Sequence, residues 1–142
     1  MNSSIENALK LWLQNEGINT TTIHTGLTGD NISQSDQFIT CYVSDSQHVV
    51  GKLHKTNIAI VVVTPPHSNT ANNEATALTA HRTLVTTVTG LIDDFDNNSL
   101  RTIFDANTSY TFSGGFLNSE ETGIDDERWV TTLNFMIGVS RP

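Results

Sequence analysis

Apolar residues recur along this chain with two different periods, and the switch between them lays out the elements. In residues 128–141, RWVTTLNFMIGVSR, Trp129, Leu133, Phe135, Ile137 and Val139 fall on one face at period two, while Thr132, Asn134, Gly138 and Ser140 mostly occupy the other. That pattern predicts a one-sided antiparallel strand of roughly 40 Å, about twice the usual length. Part of it is therefore expected to pass beyond the sheet or to meet another chain. At the other end of the sequence, Ile5, Ala8, Leu9, Trp12 and Leu13 recur at helical spacing. Ser3 and Glu6 have the spacing of a capping box, and Gly17 supplies a left-handed stop. Residues 38–43 read as a strand, and residues 57–64, NIAIVVVT, form a continuous apolar run ended by Pro65 and Pro66. Residues 58–63 are expected to be a central strand covered on both faces. The polar excursion between the two runs, 44–55, holds His48, Gly51 and His54 and is expected as a hairpin turn or an extended loop.

From Asn72 or Asn73, either of which can cap it, a helix is expected to run to about Phe95, with Ala75, Leu78, Val85, Val88, Leu91, Ile92 and Phe95 at spacings of three and four. At 1.5 Å per residue it is roughly 35 Å long. Gly90 and several threonines lower its intrinsic propensity, so packing on a sheet must hold it together. The remaining stretches carry weaker signals. Residues 19–37 are polar, with a possible strand at 21–27 and a turn at Gly29, Asp30 and Asn31; 97–105 reads as a short helical turn or connector. Residues 109–117 read as a strand broken by Gly114 and Gly115, and 118–127 as an acidic loop before the last strand returns antiparallel. The expected fold is a single α+β domain over residues 1–142, a mainly antiparallel or mixed sheet with two helices packed on one face.

Composition narrows the function more than the fold. Charged residues make up only 15% of the chain, so Thr, Asn and Ser must cover much of the surface, as is tolerated where neighbouring subunits bury it. Seven Lys and Arg against fifteen Asp and Glu give a formal net charge of -8. The cations are scattered, only Lys52 and Lys55 lying close together, so binding nucleic acid by phosphate neutralisation is disfavoured. An acidic surface can still meet DNA by repelling it from the wall of a passage. Cys41 is the single cysteine, which rules out an intrachain disulfide and a cysteine zinc site. The first residues lack the pattern of a signal peptide, and no apolar run approaches the ~20 residues a membrane span requires. A soluble, cytoplasmically made protein is the expectation.

Candidate chemistry is sparse. Residues 94–105, DFDNNSLRTIFD, place Asp94, Asp96, Asn98, the Leu100 carbonyl, Thr102 and Asp105 at the offsets of a calcium-binding loop. Ser99 stands where that loop needs Gly, Asp105 where it needs a bidentate Glu, and Arg101 lies inside it. None of the five histidines, His24, His48, His54, His67 and His81, has metal-ligand spacing or a paired carboxylate. His81, near the apolar face of the long helix, reads as a hydrogen-bonded structural residue, and Cys41 as a buried inert thiol. Gly114 and Gly115 open no helix and read as a bulge or bend in a strand rather than a phosphate cradle. Glu120, Glu121, Asp125, Asp126 and Glu127 are the candidate interface or lumen residues, balanced between a solvated hairpin tip and a docking loop in an assembly. No catalytic, metal or cofactor-binding residue is assigned.

With these segments in place, the chain resembles the tail terminator (tail completion) family of long-tailed bacteriophages, small neck proteins related to the lambda minor tail protein U. The resemblance rests on the helix IENALKLWLQ, the strand KTNIAIVVVT followed by a loop, the long helix EATALTAHRTLVTTVTGLIDDF and the closing strand RWVTTLNFMIGVSR, in that order. It implies a structural virion protein, assembled in the host cytoplasm, without enzymatic activity or cofactor. Such a protein forms a homohexameric ring on the finished tail tube, ends tube polymerisation and presents a surface to the head-side connector or stopper protein. Its partners would be itself, the tail tube protein and the connector, with genomic DNA passing through without sequence-specific binding and no membrane involved. Residues 18–37 have no clear counterpart in the family pattern, which leaves a stopper or other head–tail joining role as an alternative. Two readings from other classes stand beside it. One is a small-ligand or calcium-binding module using residues 94–105 or a cleft between sheet and long helix; the other is an enzyme assembled from distant residues such as His81 and Asp105.

Overall fold

The structure, a computed structural model, describes residues 2–18, 21–26, 37–64, 71–125 and 128–142. α1 (Asn2–Asn15) turns Ile5, Ala8, Leu9, Trp12 and Leu13 inward, all fully buried. It ends as the sequence predicts: Gly17 takes φ +101°, the Gly17 amide donates to the Gln14 carbonyl and the Ile18 amide to the Leu13 carbonyl, the paired bonds of a Schellman stop. Its start differs. The helix already includes Asn2, so Ser3 lies inside it, and Glu6 does not close a capping box; its Oε2 instead accepts the Val43 amide of the sheet at 2.9 Å. A sheet edge offering an unpaired N–H has claimed the carboxylate.

Five strands form one mixed sheet, β1 (Thr22–Thr25), β2 (Phe38–Val50), β3 (Leu53–Val63), β4 (Thr111–Asp125) and β5 (Arg128–Ser140), in the spatial order β1-β2-β3-β5-β4. Only β1 and β2 run parallel. Residues of one parity, among them Ile39 and Cys41 of β2, Ile58, Ile60 and Val62 of β3 and Leu133, Phe135, Ile137 and Val139 of β5, join buried residues of every helix in one core. Ala59 and Val63, on the opposite face of β3, are buried too, as a central strand requires. The expected turn at residues 29–31 lies outside the described residues.

α2 (Ala71–Asp93) begins slightly before the expected asparagines, which fall inside it. Val85, Val88 and Ile92 face the core, while threonines line the exposed side and satisfy their own hydroxyls: Thr79, Thr83 and Thr87 each donate to the carbonyl four residues back at 3.0 Å. A 3₁₀ turn (Phe95–Asn97) leads to a third helix, α3 (Leu100–Asn107), a full element where the sequence suggests a short helical turn or connector. Leu100 and Phe104 anchor it in the core.

The long last strand does not overrun the sheet. β5 lies between β3 and β4 and is paired along nearly its whole length, from Val130 opposite Val63 to Ser140 opposite Leu53 on one side, and from Arg128 opposite Asp125 to Ser140 opposite Thr111 on the other. Its neighbours are long enough to match it because polar sequence is recruited into them. Residues 44–55 form the hairpin rather than the extended loop, continuing β2 and β3 and turning at Gly51 with φ +56°. Residues 118–125 likewise continue β4.

Candidate interaction surface

The recruited polar sequence creates a part of the sheet with no helix over it. β1 pairs with β2 only from Phe38 to Cys41, and the last seven residues of β2 are all exposed. This end of the hairpin is held by polar cross-strand pairs: the Asn57 amide donates to Asp45, Ser46 and Thr56 share a hydroxyl bond of 3.1 Å, and the His48 and His54 rings meet edge-on at 5.4 Å. His48 also bonds the Gly51 carbonyl through Nε2 at 2.8 Å, closing the turn. Desolvation, with Arg141 and His48 adding to it, holds His54 below the ordinary imidazole pKa.

Around this end lie large exposed apolar side chains, Val49, Val50 and Phe116. Together with Leu53, the Lys55 stem and Met136, several of these border a shallow apolar groove of about 330 Å³ whose floor includes Gly138. Beside it, β4 bulges between Phe112 and Gly114, where Gly114 adopts φ +153°. Gly115 has no room for a side chain: a Cβ would come within 2.7 Å of both the Met136 carbonyl oxygen and the Phe135 ring. The glycine pair is thus the bulge the sequence suggests.

The candidate acidic residues sit at the opposite end of the sheet, in a strand rather than a loop. Glu120 and Glu121 pair with Leu133 and Thr132, so consecutive side chains leave on opposite faces, and the structure does not gather them at one point. Asp125 is the last residue of β4, while Asp126 and Glu127 lie outside the described residues. Also at this end Ile124 is 55% exposed.

The cleft expected between sheet and long helix exists, about 290 Å³ lined by Leu78, His81, Arg82, Val85, Glu120 and Trp129, among others. His81 is fully buried and shares a 2.6 Å hydrogen bond from Nε2 with Thr131, whose hydroxyl is 2.8 Å from that of Thr122. Burial pushes its pKa down. It is the structural histidine the helix pattern suggests, and its neighbour is a threonine relay rather than Asp105, an exposed residue of α3.

The calcium-like offsets are taken apart by folding. Asp96 pairs with Arg101 at 3.1 Å, Asp94 accepts from the Asn97 amide at 2.7 Å, and Asn98 accepts from the Trp12 indole at 3.0 Å while donating to the Leu91 carbonyl. Thr102 and Asp105 belong to α3, so no loop closes around an ion. Among the described residues no three acidic, histidine or cysteine side chains converge on a possible metal position. Arg101, the residue that least suits a calcium loop, is central here: its guanidinium lies over the rings of Phe95 and Phe112 and donates to the Phe112 carbonyl, covering part of the β4 edge. Cys41 is fully buried, its thiol pushed up to about 12 by burial and by Glu6, as an inert thiol requires.

Sequence reasoning missed the linkage between α1 and the turn before α3. Glu16 accepts from both the amide and the hydroxyl of Ser99, beside the Trp12–Asn98 bond. These partners are more than eighty residues apart, and no local pattern marks them. For residues 44–55 the hairpin alternative is the one present, and Val-Val-Gly-Lys-Leu, a glycine turn flanked by strand formers, is the signal that selects it.

The site is thus a surface: the bare hairpin end of one α+β sheet and the exposed edge of β4. No model of a known protein family matches the chain, and comparison with curated proteins finds no significant match. Among the described residues no helix is long and apolar enough to cross a membrane.

Proposed function

We propose that this chain is a structural subunit of a phage neck, assembling as a six-membered ring that caps the tail tube, ends its polymerisation and meets the head-side connector. The reading is carried by one observation: the sheet outruns its helices. A chain acting alone gains nothing from leaving seven consecutive residues of an edge strand exposed, because such an edge invites pairing. A ring subunit needs two different uncovered surfaces, since head-to-tail contacts never match a patch to itself. This chain offers one at the bare β2–β3 hairpin and another along the exposed edge strand β4 near Ile124. The four segments that carry the family resemblance form α1, β3, α2 and β5, the elements that build the core and span the sheet. A net charge of -8 suits a passage along which DNA slides without sticking. The partners are then further copies of the chain, the tail tube protein and the connector or stopper.

Native mass spectrometry across a concentration series tests this. A discrete hexamer, or a monomer converting to one as concentration rises, is expected; a strict monomer or a two-fold dimer would contradict the ring.

A further inference from the structure

Two histidines face each other across the distal hairpin. His48 of β2 is the direct antiparallel partner of His54 of β3, and their ring centroids lie 5.4 Å apart with the planes inclined at 63°. Strand alternation puts His54 on the side of the sheet that carries Thr56, Ile58 and Ile60, the side the helices cover further along. Beyond the helices, His48 is exposed and His54 half-buried.

The turn fixes the chemistry of one ring. His48 Nε2 lies 2.8 Å from the Gly51 carbonyl oxygen, which can only accept, so Nε2 carries the hydrogen and, in the neutral ring, Nδ1 keeps its lone pair. A backbone carbonyl on the far nitrogen is the usual brace of a metal-binding imidazole, setting both its tautomer and its orientation. Neither ring nitrogen of His54 is hydrogen-bonded to another described residue. Its lowered pKa leaves it unprotonated at neutral pH, with a lone pair to offer.

The spacing suits two ligands on one ion. Metal–nitrogen bonds of about 2.0–2.1 Å that meet near the tetrahedral angle place two imidazole centroids about 5 Å apart. No carboxylate joins the pair, since Asp45 leaves the other face of the hairpin with Gln47 and Lys55 and is engaged by Asn57. Lys52 and Arg141 flank the same turn, the Arg141 amide donating to the Lys52 carbonyl, and their charge opposes any cation. Calcium and magnesium, which need oxygen ligands, are therefore excluded, and only a metal with a strong preference for imidazole suits the site.

We propose that His48 and His54 together bind one divalent transition-metal ion, copper(II) more tightly than zinc(II), with water in the remaining positions. The ion ties the two strands of the hairpin beside its turn, where polar cross-strand pairs alone hold them. It needs no second copy of the chain, so the site is independent of ring assembly.

Calorimetric titration of the untagged chain with copper(II) or zinc(II) chloride at neutral pH tests the site. One copper ion per chain is expected, bound at least about tenfold more tightly than zinc. H48A and H54A should each weaken copper binding at least about tenfold, and H48A/H54A should lose little more, because removing either ring already dissolves the pair. H24A/H67A, which removes two histidines elsewhere, should bind as the unaltered chain does. Electron paramagnetic resonance of the copper complex of the unaltered chain gives a readout that needs no variant: coupling to two imidazole nitrogens is expected, and coupling to one overturns the proposal. Binding unchanged in both H48A and H54A, or no binding at about 100 µM copper, overturns it as well.

Discussion

β2 crosses two environments within thirteen residues, and the contrast divides the whole molecule. Its first four residues are buried among β1, β3 and the helices; its last seven are exposed. In the covered half, apolar residues at period two meet helices whose apolar stripes have nowhere else to go, and hydrophobic burial does the stabilising. In the bare half the same strand continues on backbone pairing and polar cross-strand bonds alone. The covered half is a scaffold. The bare half contributes little to the fold and is available for contact with another molecule.

That division has a steep energetic prediction. Trp12 is fully buried, its ring centroid 6.3 Å from that of Phe135 and its indole bonded to Asn98. Trp12→Ala should cost about 3–5 kcal/mol in chemical denaturation, enough to unfold a marginal domain. Ile39→Ala, in the covered half of β2, should cost about 2–5 kcal/mol. Gly115→Ala tests the seam between the halves. Its Cβ would strike backbone and a core ring at 2.7 Å, and overpacking of this kind costs about 1–3 kcal/mol.

The covered half should also respond to pH through His81. Burial lowers its pKa in the folded state, whereas the unfolded chain takes up the proton near the ordinary value of about 6.5. Above that value the residue adds no pH dependence. As pH falls below it, down to the folded-state pKa, the unfolded state binds more protons and stability is lost, at up to about 1.4 kcal/mol per pH unit. Thermal unfolding between pH 7.5 and 5 should show this slope, and His81→Gln should flatten it. Arg82 and Glu120, which share the cleft, should move it only modestly.

The bare half should be nearly silent in the same assays. Val49→Ser with Val50→Ser should change stability by less than about 0.5 kcal/mol, in the strand where Ile39→Ala costs several. Their effect should appear instead in association. Smallest of all, millimolar calcium should leave the melting temperature unchanged. Asp96 is paired with Arg101, and a ligand stabilises only if the folded state binds it.

The same division explains what was legible in the sequence. α1, β3, α2 and β5 could be read because their apolar periodicity and their burial are the same fact. So could the α+β class, the Gly17 stop, the glycine bulge and the buried roles of His81 and Cys41. Residues 118–125 read as a loop, and 44–55 as either a hairpin turn or an extended loop, because these stretches are mostly exposed and period two is written into a sequence only where one face is buried. α3 reads only as a short helical turn or connector because eight residues, with only Leu100 and Phe104 buried, carry too little periodicity. The length of β5 is visible, but not all of what pairs with it, since residues 53–57 of β3 and 118–125 of β4 lie in polar stretches. The acidic residues were found as a group by proximity in sequence, whereas strand alternation sends Glu120 and Glu121 to opposite faces.

The most direct test is hydrogen–deuterium exchange on the chain at concentrations below and above the onset of association. The account predicts that the covered half is protected at both, and that new protection appears in residues 44–55 and 116–125. Unchanged exchange at both ends of the sheet in an associated sample, or new protection confined to the helices, would contradict the division of the molecule into scaffold and contact surface.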